Sequence, residues 1–432
     1  MKTKALIISM AAALCLCACS KDDDELPKGN EVKKTTEIEK PETPKEPETR
    51  HSYKPVELDA MQRDINAKME TFAWKLSKEA YINRNEGENL MISPISFAVD
   101  LGMFMNGMQG ESLQELLKAM GLEDYTKEQI NSYFHTMMMG IETADEAAIF
   151  KSANSFWYNQ GLTASEDFLT AIKNGYNAKT EAVNYADPQT VNVINAWCAE
   201  QTNNCIKNAL AFTSPEDVFH LINAVYFKAG WEDPFEERGT NKAPFVYADG
   251  SSEMVDMMQD SFATSYAETD QYKQCVRPFV DGAFKMVFIL PKEGVDLVDV
   301  IPETLDYKVS ATADAYPGKP KGEYVALYVP KFTSEYTANG LFGYLQHLNP
   351  DLGINWEDLS IFEPKKEMTI DAFQKTFFKM DEEGAEAAAV TVINGCTSPG
   401  PADVYVTLDH PFIYAIVEDN TQCPLFIGYY GK

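Results

Sequence analysis

From Tyr53 to its C-terminus the chain shows no second linker and no internal repeat, so one core of about 380 residues is the simplest organisation. An array of small domains would need punctuation that this stretch lacks. Hydrophobic residues make up 45% of the sequence, enough to fill such a core. Met61, Ile65, Met69, Phe72 and Leu76 recur at three- and four-residue spacing and predict an opening helix with one apolar stripe. Phe284–Leu290, Tyr324–Val329, Phe412–Val417 and Leu425–Tyr429 are short, apolar and rich in β-branched or aromatic residues, and they read as buried strands. Helical stretches gather in the first half and strands in the second. That segregation predicts an α+β fold rather than regular βαβ alternation.

Ahead of this body the composition changes. Lys2 and Lys4 precede an apolar run, Ala5 to Ala18, that is too short to span a bilayer as a helix. A charged start, a short greasy stretch and small residues at its end describe a secretory signal, residues 1–18. Leu16-Cys17-Ala18-Cys19 resembles the bacterial lipoprotein box, which implies lipidation of Cys19. Ser20-Lys21-Asp22-Asp23-Asp24 resembles the acidic sorting tag of surface lipoproteins in some Gram-negative bacteria, implying a surface-exposed outer-membrane anchor. Residues 19–52 are then expected to be a disordered tether, because Leu26, Val32 and Ile38 alone cannot offset its ordering entropy. The folded domain is expected over 53–432, as a monomer touching membrane only through its anchor.

Charge and cysteine usage narrow the function. Against 66 acidic residues stand 37 basic ones, a net charge of −29, which excludes a nucleic-acid binder. Beyond the signal and Cys19 five cysteines remain: Cys198, Cys205, Cys275, Cys396 and Cys423. Their odd number and lack of any CxxC pair describe neither a disulfide scaffold nor a zinc site. There is no GxSxG elbow, HExxH, Walker loop or GxGxxG after a strand. His51, His135, His220, His347 and His410 have no nucleophile or metal-ligand spacing around them. Met137-Met138-Met139 and Met257-Met258 read as core packing. No cofactor is implied.

Three blocks carry more information. The first is Asn89-Leu90-Met91-Ile92-Ser93-Pro94-Ile95-Ser96, leading to Asn106-Gly107-Met108-Gln109-Gly110. The second is Leu221-Ile222-Asn223-Ala224-Val225-Tyr226-Phe227-Lys228 with Trp231, Glu232 and Phe235. The third is Asp381-Glu382-Glu383-Gly384-Ala385-Glu386-Ala387-Ala388-Ala389-Val390, followed by a loop and a strand ending Leu425-Phe426-Ile427-Gly428. On helix propensity alone the third block would be an exposed helical turn. As a strand it puts Ala385, Ala387, Ala389, Thr391 and Ile393 on one face, and Glu386, Ala388, Val390, Val392 and Asn394 on the other. The first face is small or apolar and uncharged, and fits between two existing strands above a core.

Together and in this order, the blocks resemble the serpin family over 55–431. The resemblance implies three β-sheets, a bundle of about nine helices, an exposed reactive-centre loop over 384–403 and a metastable native state. It implies a suicide inhibitor rather than an enzyme. A target protease cuts the loop, and the acyl-enzyme is trapped when the loop enters the main sheet as a new strand. Glu383, Gly384, Ala385, Glu386, Ala387, Ala388, Ala389 and Val390 match the loop hinge. Ser93, Ser96 and Asn223 match the polar shutter beneath the sheet, and Trp231 the aromatic where insertion begins. Gln374 stands where many relatives place a shutter histidine; it keeps hydrogen-bonding capacity but lacks the imidazole's protonation switch.

The family count from Gly384 places the scissile bond near Ser398–Pro399. Proline after the bond makes a tertiary amide that most serine proteases cleave poorly. Thr397–Ser398 or Cys396–Thr397 is therefore the better bond, the first preferred. Between Val392 and Val404 there is no Arg, Lys, Phe, Tyr, Trp or Leu, which disfavours trypsin-like and chymotrypsin-like targets. Elastase-like, subtilisin-like or papain-like proteases fit the small residues. Two other readings are a non-inhibitory binder or surface adhesin of the same fold, and a hydrolase using Cys396 or a serine.

Overall fold

The computed structural model describes residues 53–85, 87–306, 323–368, 372–385 and 402–431. Seven α-helices lie among them: α1 (Ala60–Ile82), α2 (Pro94–Met105), α3 (Gly110–Met120), α4 (Lys127–Glu142), α5 (Glu166–Tyr176), α6 (Thr190–Gln201) and α7 (Leu341–Leu348). The strands are β1 (Leu90–Ile92), β2 (Ile149–Asn159), β3 (Lys179–Val183), β4 (Phe219–Gly230), β5 (Asn241–Val246), β6 (Ser252–Thr264), β7 (Tyr266–Glu268) and β8 (Tyr272–Pro278). They continue with β9 (Phe284–Pro291), β10 (Glu323–Pro330), β11 (Phe332–Ala338), β12 (Gln374–Met380), β13 (Gly384–Ala385), β14 (Val404–Thr407), β15 (Phe412–Glu418) and β16 (Pro424–Tyr430).

The opening helix starts where its sequence says it should. Asp59 caps α1 in a reciprocal box with Gln62, and Ile65, Met69, Phe72 and Leu76 point into the core. Six of the seven helices lie at or before Gln201, and the four apolar runs expected as strands are β9, β10, β15 and β16. Each extends by one residue at one end or both. The α+β class stands, with seven helices among the described residues where the resemblance implies about nine; four short 3₁₀ turns supplement them.

Three sheets organise the strands. The first has the order β11-β12-β13-β4-β2-β3, the second β1-β16-β15-β9-β8-β7, and the third β14-β10-β6-β5. β15 and β16 are buried at every position and anchor the core. Helix α2 packs against both β4 and β16, so it lies between the first two sheets. Its residues are apolar nearly all round, as an enclosed helix requires, and every one is buried, Asp100 in part. On the other face of the first sheet, α6 covers a smaller cluster of Trp157, Val183, Tyr185, Ile194, Cys198 and Leu210. Met137, Met138, Met257 and Met258 are core residues, whereas Met139 is exposed. Cys198, Cys275 and Cys423 are buried free thiols.

Candidate functional site

Among the described residues, one strand of the first sheet has two residues. Gly384 and Ala385 form β13, antiparallel to β12 on one side and to β4 on the other. Ala385 pairs with Met380 and Ala229, and Gly384 with Gly230. Among the described residues β4 and β12 share no ladder of their own. Ala385 is fully buried, as the small-residue face predicts. Tertiary context therefore overrides helix propensity at the start of this block. The rest of the expected hinge, Glu386, Ala387, Ala388, Ala389 and Val390, lies outside the described residues. So do the bond candidates Cys396, Thr397, Ser398 and Pro399, and the lipidation candidate Cys19.

The turn leading into β13 is held by several independent bonds. The Trp231 indole N–H donates to Asp381 O at 3.0 Å, and the Trp231 backbone N–H to Glu383 O at 2.9 Å. Phe235 N–H donates to Glu382 O at 2.9 Å. The Trp231 ring stacks on Phe279 at 4.5 Å, and the buried Arg277 guanidinium lies 3.8 Å from the Phe235 ring centre. Arg277 is fixed in turn by Asp260 at 2.9 Å. The Glu382 carboxylate accepts from Lys331 Nζ at 2.5 Å and from Thr240 Oγ1 at 2.9 Å. Burial acts to raise the Glu382 pKa, but Lys331, the backbone and Thr240 outweigh it and hold the carboxyl below its usual range. Trp231 is thus both a core residue and the donor that clamps the turn.

Beneath the sheet, Ser93 and Gln374 come together. Ser93 N–H donates to Gln374 Oε1 at 2.7 Å, and Gln374 Nε2 returns a bond to Ser93 O at 2.9 Å. Ser93 Oγ donates to Leu425 O at 2.7 Å and also accepts the Ser96 N–H at 3.4 Å, capping α2. Capping and bridging are therefore the same hydroxyl. Asn223 does not join this pair. Its Nδ2 donates to Ser152 Oγ at 2.8 Å and to Asn154 Oδ1, both on β2, because Asn154 sits opposite it in the ladder. Ser96, Asn223 and Gln374 nonetheless line one cavity between the starts of β4 and β12.

Asp100, not singled out from the sequence, lines the same cavity. Burial pushes its carboxyl up to about 8, against a bond from the Asn223 backbone. A lone acid in an otherwise uncharged twelve-residue helix was the available signal. Lys331 and Arg277 were also missed; each serves a group that no local sequence pattern connects to it.

Hydrolytic chemistry finds no support among the described residues. Cys198 shares the cavity wall with His220, but the imidazole Nδ1 is bonded to the Tyr185 hydroxyl at 2.8 Å. Burial pushes the Cys198 thiol up to about 12, far from a thiolate. His410 and His347 pair with Asp409 and Glu79. Among the described residues no group of three or more His, Cys, Asp or Glu is placed to hold a metal ion.

Comparison with known proteins agrees with this geometry. Residues 67–431 match the family model described as serpin (serine protease inhibitor). Rat neuroserpin is 28% identical over 356 residues, covering 79% of this chain and 86% of the relative. Rat alpha-1-antiproteinase is 28% identical over 377 residues, covering 85% and 88%. Among solved structures, the thermophilic serpin tengpin in its native state aligns at a TM-score of 0.73 with 30% identity, over 89% of this chain and 98% of tengpin. Human thyroxine-binding globulin complexed with thyroxine aligns at 0.74 with 21% identity, over 86% and 99%, a likeness of fold alone. The chain belongs to the serpin family.

Proposed function

We propose that this serpin is a suicide-type protease inhibitor. One observation carries the reading: β13 already occupies the slot between β4 and β12, in the antiparallel sense an entering loop would continue. Cleavage beyond Ala385 releases the downstream strand to follow it, dragging the acyl-enzyme and distorting its active site before water can free it. The preferred target is an elastase-like or subtilisin-like serine protease, or a papain-like cysteine protease, cutting at Thr397–Ser398 or its neighbour. The test is to mix the purified chain with elastase, subtilisin, trypsin and papain. Complexes that survive denaturing electrophoresis, with the released C-terminal peptide sequenced, support the reading. Cleavage by all four without such complexes overturns it. What would then remain is a non-inhibitory binder, a role of the kind that thyroxine-binding globulin carries in its name.

The proposal extends to location. Cys19 carries lipid and holds the inhibitor at the outer membrane of a Gram-negative cell, the 19–52 tether giving the domain a reach of roughly 100 Å at about 3.1 Å per residue. Cys19→Ala is expected to move the protein from the membrane fraction to the soluble one. Unchanged membrane association would remove the anchor.

A further inference from the structure

Away from β13, the starts of β4 and β12 enclose a cavity of about 140 Å³ above helix α2. Ser96, Phe97, Asp100, Leu101 and Phe104 line it from the helix, a stripe at three- and four-residue spacing in which Asp100 is the single ionisable side chain. Opposite them stand the first residues of β4, Asn223 included, and of β12. The cavity continues the slot that β13 occupies between the same two strands.

The alternation of β4 decides which of its backbone groups face that slot. In an antiparallel ladder the N–H and C=O of one residue point the same way, and the direction reverses at the next. Ile222 O accepts from Ser155 Oγ at 3.3 Å, so the even-numbered residues turn to β2. Beyond the other end of β4, Trp231 N–H donates to Glu383 O at 2.9 Å, so the odd-numbered ones turn to β13. The ladder with β2 runs between these points without a shift of register. The Asn223 N–H therefore points into the slot, where no strand lies among the described residues. It is bonded instead to the Asp100 carboxyl, which reaches it from α2.

This contact is costly to give up. Asp100 Oδ1 is buried and already without a hydrogen-bond partner, so losing Asn223 strands more of the carboxyl. A strand entering behind β13, in the register of Ala385 opposite Ala229, brings a carbonyl to each odd-numbered residue of β4 in turn. At Asn223 that carbonyl meets an N–H already taken.

We propose that Asp100 is a brake on strand entry: its carboxyl stands in at Asn223 for a strand that has not arrived, and the arriving chain must displace it. The contact stands by itself. Its consequence rests on the inhibitory reading, where it weighs against insertion in the race with hydrolysis of the acyl-enzyme.

The experiment compares the full chain with Asp100→Val, which removes the acceptor at similar volume, and Asp100→Asn, which keeps a carbonyl oxygen in its place. Asparagine is a close mimic at neutral pH, because burial pushes the Asp100 carboxyl up to about 8 and keeps it protonated. Hydrogen exchange read at the Asn223 amide of the intact chain tests the contact. It is expected to be at least about threefold faster in Asp100→Val and unchanged in Asp100→Asn, the scale of one neutral hydrogen bond. A synthetic peptide of sequence 385–394 tests the consequence. Its incorporation into the intact chain, followed by native electrophoresis, should also run at least about threefold faster in Asp100→Val, with Asp100→Asn at the parent's rate. If Asp100→Val fails to fold, Asp100→Ala takes its place. Equal exchange in parent and Asp100→Val, or Asp100→Asn exchanging like Asp100→Val, overturns the contact. A deprotected amide with unchanged peptide entry overturns the brake. Protection lost in Asp100→Val and kept in Asp100→Asn, in a chain that neither admits the peptide nor traps a protease, keeps the contact and refutes the inhibitory reading, and the brake with it.

Discussion

At Gly384 a side chain has nowhere to go. A Cβ built there would stand 2.2 Å from the carbonyl oxygen of Ala229 and 2.8 Å from the Cα of Gly230, with φ at +153°. Gly384→Ala is therefore expected to push β13 out of the sheet and destabilise the fold by about 2 kcal/mol, the scale of a strained backbone site. Denaturant unfolding measures the loss, and an unchanged midpoint would contradict the packing described. The motif around Gly384 was legible in the sequence, but its physical reason was not, because the carbonyl it meets lies on a distant strand. Asn223 illustrates the same limit. Its block was legible, yet its partners on β2 follow from the Asn154–Asn223 pairing, which no local pattern displays. Asp100 was readable as a single charge in an apolar helix.

At the scale of elements, strands whose two faces are both buried announce themselves, and β9, β15 and β16 fall where their apolar runs predict. β3 and β5 carry exposed polar residues and give no such signal. β13 is the harder case, since Ala and Glu favour helix and only the slot between β12 and β4 makes the segment extended. That slot is held at its mouth by Glu382, Lys331 and Thr240. Lys331→Met should destabilise the fold by about 1 kcal/mol or less near neutral pH, Lys331 being partly exposed and screened. The sign follows from Glu382. Its folded pKa lies below the ordinary 4.5, so the pair's contribution is present above that value and lost as pH falls through the folded pKa. Melting parent and variant from neutral to acid pH should show two curves converging as pH falls through the lowered pKa of Glu382. A gap that stays constant, or widens in acid, assigns Lys331 some other role.

At the scale of the whole molecule, Gly384 and Ala385 are the described residues of a strand in the first sheet, and the chain is next described at β14 in the third. If about ten more residues entered the sheet, each would add one or two backbone hydrogen bonds at a net of about 0.5–1.5 kcal/mol, or roughly 10 kcal/mol in all. A folded body of about 380 residues unfolds with an entropy of about 0.8 kcal/mol/K, so that gain corresponds to a rise in melting temperature of about 12 °C. On the inhibitory reading, the segment between β13 and β14 enters the sheet only once it has been cut. The prediction is that a single cut in the loop, made by a non-target protease that is then quenched, raises the melting temperature by about 10 °C or more. Both fragments should stay associated throughout. Calorimetry of intact and nicked samples side by side reads the difference directly. A nicked sample that melts with the intact one would mean that the slot between β4 and β12 does not admit the chain, and the trapping step would have no source of energy.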